Sequence, residues 1–81
     1  MSRTENLGHR EELRIRRKAI EAEIRSHIES MRCCLPPIIE PVELQSEYLM
    51  HLAIKLNGLK EELCGVIRKI EILERDLGFV S

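Results

Sequence analysis

Aromatic side chains are almost missing from this chain. They make up 2% of 81 residues, Tyr48 and Phe79, and there is no tryptophan. That argues against modules that stack unpaired bases on aromatic platforms. Long apolar runs are missing too. None approaches the roughly 20 residues needed to span a bilayer, and no N-terminal stretch has the apolar centre of a signal peptide. Charge of one sign is not in excess: 13 Lys and Arg stand against 14 Asp and Glu, for a net charge of −1. A dedicated DNA-binding domain usually carries a clear basic surplus. Cysteine is sparse and odd in number. Cys33 and Cys34 are adjacent and Cys64 stands alone, a poor start for a disulfide framework. These features predict a cytoplasmic chain with reduced thiols.

Catalytic signatures are absent as well. There is no G-x-S-x-G, phosphate-binding loop, H-E-x-x-H or D-x-D cluster. Glu11-Glu12 and Glu61-Glu62 are adjacent pairs, which diverge on a helix and read as solvated. No catalytic residue, cofactor or small-molecule substrate is expected. A structural zinc site shows paired cysteine spacings. Here Cys33-Cys34, His27 and a His51 brought near by an antiparallel hairpin are all that is offered, and no metal is expected.

Proline is confined to Pro36, Pro37 and Pro41. This cluster divides the chain into one helical hairpin: helix 1 over about 5–34, a connection over about 35–40 and helix 2 over about 41–77. Leu49, Leu52, Leu56, Leu59, Leu63, Val66, Ile70, Leu73 and Leu77 follow one another in steps of three and four. That is a heptad seam with every core position aliphatic. Ala53 and Ile67 widen it. The seam keeps phase through Asn57-Gly58 and Gly65, which predicts one continuous helix. Pro41 suits a first helical position, and Gly78 a left-handed terminal one with Phe79 folding back. Helix 1 is less regular. Leu13, Ile20, Ile24, Ile28, Met31 and Leu35, with Arg17 in the empty slot, include two successive steps of four that drift from a heptad. Thr4 and Asn6 could each cap its start.

Residues 1–33 carry eight basic and six acidic side chains; residues 34–81 carry five and eight. Antiparallel packing sets unlike charges side by side. One opposing helix cannot cover the helix 2 stripe, and chains this small often lack a sufficient core alone. An all-α antiparallel hairpin pairing into a homodimeric four-helix bundle is therefore expected. Its oligomer interface would comprise the nine seam residues, Ile67, and Ile20, Ile24, Ile28 and Met31 of helix 1. A helical protein partner is the competing occupant. In outline the chain is similar to the Rop bundles and to the small hairpin chaperones of type III secretion. The likeness is architectural, with no shared residue motif, so RNA binding does not transfer.

The expected role is protein–protein interaction, as an adaptor, chaperone-like or assembly protein. The alternative is a nucleic-acid-binding regulator using a basic stripe of Arg10, Arg14, Arg17 and Lys18, whose spacing suits phosphate contact. Glu11, Glu12, Glu21 and Glu23 lie close enough to weaken its field. The apolar connection has two readings. Leu35, Ile38 and Ile39 could fold over the bundle end, which is the preferred expectation, or they could dock another protein.

Overall fold

The structure, a computed structural model, describes residues 2–79. Two long helices pack against each other: α1, Arg3–Cys33, and α2, Ser46–Asp76. Among the described residues there is no strand, and no helix is long and apolar enough to cross a membrane. The helices run antiparallel. Arg3 Nη1 donates to the Leu77 carbonyl at 2.9 Å, and Ile20 packs on Val66 and Ile70.

α1 begins earlier than expected. Neither Thr4 nor Asn6 caps it. Ser2 does, its Oγ accepting from the Glu5 amide at 3.2 Å. Ser2 and Glu5 have the spacing of a capping box. α2 begins later than expected, at Ser46 instead of 41. Pro41 does open a helical turn, but a separate 3₁₀ one, Pro41–Glu43. Leu44 then turns extended (ψ 125) and Gln45 offers no side-chain cap, so the turn cannot run on into α2. The connection thus covers residues 34–45. α2 continues unbroken through Gly58 and Gly65. It ends as the sequence indicates: Gly78 has φ 79, its amide donates to Arg75 O at 3.1 Å, and the Phe79 amide donates to Glu74 O at 2.8 Å. Two such bonds close the last turn of a helix and favour glycine at the left-handed position.

All nine α2 seam residues are buried or partly buried, with Leu52, Val66, Ile70 and Leu77 the most enclosed. The α1 side differs from the expected stripe. Its buried line runs Leu13, Arg17, Ile20, Ile24, His27, Met31, Cys34, a strict heptad continued toward the N-terminus by Arg10 and Asn6. Ile28 and Leu35 fall one residue off that line and are exposed. Polar side chains therefore occupy many α1 seam slots. Asn6 Oδ1 and Arg10 Nε are buried without a hydrogen-bond partner. At that end Arg10 stacks on the Phe79 ring, 4.7 Å from its centroid.

The result is a thin molecule. It measures 59 × 21 × 16 Å over its Cα atoms. Folded domains bury their apolar faces between packed layers; two side-by-side helices make a single layer. The exposed surface is 6431 Å², against about 5,000 Å² for a compact monomer of this mass. Among the described residues only Ile20 is fully enclosed.

Candidate interaction surface

A heptad seam has two flanks, and here they differ in chemistry. In an antiparallel pair, positions just beyond the seam face their own kind across the helices. On one flank stand His9, Arg16, Glu23 and Ser30 of α1, with Lys55, Glu62, Lys69 and Asp76 of α2. Arg16 and Glu62 form an ion pair across it. Apart from Tyr48 beside the connection, the positions next to the seam on this flank are polar, and exposed Ile72 stands one step farther out, between Lys69 and Asp76.

The opposite flank carries Leu7, Arg14, Glu21, Ile28 and Leu35 of α1, with Ala53, Lys60, Ile67 and Glu74 of α2. Toward the connection it opens into a groove of about 490 Å³ lined by Ile24, Ile28, Ala53, Leu56, Asn57, Lys60 and Leu63. Its walls are mainly aliphatic. The groove exists because Ile28 misses the seam: His27 takes the inward slot, and the larger apolar side chain is left on the edge. Sequence hydropathy placed Ile28 in the seam. The signal that could have found the groove was the pair of four-residue steps, 20 to 24 to 28, which carries the apolar stripe around α1 and away from α2.

Most residues expected at an oligomer interface are thus engaged first within the hairpin. Ile20, Val66 and Ile70 form its centre, with Leu13, Ile24, Leu59 and Leu63 packed around them. Ile24, Ile28, Leu56 and Leu63 also line the open groove.

Farther along the same flank lies the basic stripe. Arg14, Arg17 and Lys18 share a depression of about 260 Å³ with Glu21, Ile70 and Glu74. Acidic neighbours meet the arginines: Arg10 lies 3.7 Å from Glu74, Arg14 3.7 Å from Glu11, and Arg17 3.8 Å from Glu21. A phosphate would have to compete with those carboxylates. Two of them, Glu11 and Glu21, are the acids that sequence spacing singled out. Glu74 reaches the stripe only through the hairpin.

In the single hairpin the connection does not fold over the helix ends. Ile38 is 95% exposed and Val42 92%. Leu35 and Tyr48 are about half exposed, and Ile39 alone is partly buried. The segment bends at Leu35 and again at Pro37 and Ile38, and in the single hairpin Ile38 and Val42 stay in solvent. Ile38→Ser should therefore leave the melting temperature within the range of a neutral surface change, about 0.5 kcal/mol either way. Calorimetry checks this, and a clear loss of stability would restore the capping assignment.

No group of three or more His, Cys, Asp or Glu side chains able to hold a metal ion occurs among the described residues. His27 sits in the seam with Nδ1 3.3 Å from Glu23 O, and His51 is exposed. Cys33, Cys34 and Cys64 are free thiols.

No family model matches the chain, and neither does any curated protein or solved structure.

Proposed function

We propose that this chain is a small helical protein–protein interaction module that works by self-association, two hairpins completing a homodimeric four-helix bundle. One observation carries the reading. A single layer of two helices leaves about 1,400 Å² more surface exposed than a compact monomer of this mass would. A stable interface removes about 800 Å² from each partner, so the surplus is more than large enough to supply one such interface. Bundles of four helices are the common architecture for such stripes, and two-fold homodimers the common symmetry.

The reading assigns the chain no reaction and no cofactor. It places the protein in the cytoplasm, in keeping with its free thiols. The basic stripe fits nucleic acid poorly beside this role, because carboxylates already sit within ion-pair distance of Arg10, Arg14 and Arg17.

Thermal unfolding tests the proposal. A folded dimer that melts to unfolded monomers is stabilised by mass action, so its melting temperature should climb as protein concentration rises from micromolar to millimolar. A melting temperature independent of concentration over that range would count against self-association. A partner of different sequence would then be sought by copurification.

A further inference from the structure

Resting on that self-association reading, we infer that the aliphatic groove is the contact between copies and that the two hairpins lie antiparallel, with their connections at opposite ends of the dimer. The first half of the inference follows from the two flanks. The edge with the Arg16–Glu62 pair offers polar side chains, which would lose water for little return on burial. The groove edge offers Ile28, Ala53, Leu56 and Leu63, with Asn57 and Lys60 at its rim, and Ile28 and Ala53 are exposed in the single hairpin.

The second half follows from what lies on either side of the groove. Between Arg32 and Lys55 the chain has no lysine or arginine, but it has Glu40, Glu43 and Glu47. This acidic end also carries exposed Leu35. On the other side of the groove the flank carries Ile67 and then Arg14, Arg17 and Lys18, interleaved with Glu21 and Glu74. With 1.5 Å of rise per residue, Leu35 stands about 13 Å above the groove centre and Ile67 about 13 Å below it. Glu47 stands about 16 Å above, and Lys18 and Arg14 about 12 and 18 Å below.

A two-fold axis through the groove that reverses the hairpins brings these levels together. Leu35 of one copy reaches the level of Ile67 in the other. The acidic connection reaches the level of Arg14, Arg17 and Lys18, of which Lys18 has no ion-pair partner among the described residues. The parallel arrangement instead sets three glutamates beside their own copies, and unpaired Lys18 beside itself. Like charges placed opposite one another disfavour that arrangement. The antiparallel form also brings Lys18, the one cation of the stripe without an ion-pair partner among the described residues, to the level of an acidic segment.

Spin-label distances test the orientation. Glu12 is exposed on α1. Glu12→Cys would be labelled in a background with Cys33→Ser, Cys34→Ser and Cys64→Ser, after circular dichroism confirms unchanged helicity. The mass of the same sample would be measured alongside. A dimer with labels about 45 Å apart supports the inference, whereas parallel hairpins would hold them under about 30 Å. A dimer with the short distance overturns the antiparallel arrangement and leaves self-association standing. A monomer overturns both. A second readout keeps the natural cysteines. Lys18→Glu should weaken the dimer about two- to fivefold, and adding Glu47→Lys should restore it. Failure of that rescue overturns the antiparallel arrangement.

Discussion

Replacing Ile20 by alanine should cost the protein about 2–5 kcal/mol of stability, more than any other single truncation in the chain. Among the described residues Ile20 is the one large side chain with no exposed surface, and it is wedged against Val66 and Ile70 at the middle of the helix contact. Removing three carbons there leaves a cavity that two rigid helices can close only in part. The same change at Leu59, which is partly buried, should cost less, because part of its side chain already meets water. Urea denaturation monitored by helicity gives both numbers. If Ile20→Ala lost no more stability than Ile15→Ala, whose side chain is 65% exposed, the helices would not meet along this seam.

The second large effect is on association. Ile28→Lys should weaken the dimer about tenfold or more, because it removes an apolar contact and adds a second cation to a groove that already holds Lys60. Within one hairpin Ile28 sits at the rim, 37% exposed, so the lysine can reach solvent there and the helix should still form. Ser30→Lys, on the polar flank, is the matched control and should leave the dimer intact. Sedimentation equilibrium distinguishes the two. Equal dimerisation of both variants would remove the groove from the interface.

The two helices were not equally legible in the sequence. In α2 every seam slot is aliphatic, so hydropathy and geometry give the same line, and Gly78 marks the end by a backbone shape other residues avoid. In α1 they give different lines. Arg17, His27 and Cys34 take inward slots while Ile28 and Leu35 lie outside. Hydropathy follows the apolar side chains, whereas the packing line follows the period set by α2. Two residues two turns apart, Ile28 and Leu35, were enough to mislead the register. That same mismatch makes the groove, so the candidate surface lay where the sequence pattern was least regular.

The connection was misread for another reason. Ile38 and Val42 are apolar, but hydropathy implies burial only where some surface stands ready to receive the side chain. In the single hairpin Ile38 and Val42 meet no such surface, whereas Ile39 between them is partly buried. Pro41 misled in a smaller way. It favours a first helical position wherever a helical turn starts, and the turn it starts is the short 3₁₀ one, closed off by the extended backbone at Leu44.

The most direct measurement is the absolute mass in solution, by light scattering behind a sizing column with reductant present to keep the three thiols free. The chain mass is 9.5 kDa. Self-association through the groove predicts a single species of twice that mass. A sharp peak at 9.5 kDa would contradict it and leave the aliphatic flank to a partner of different sequence.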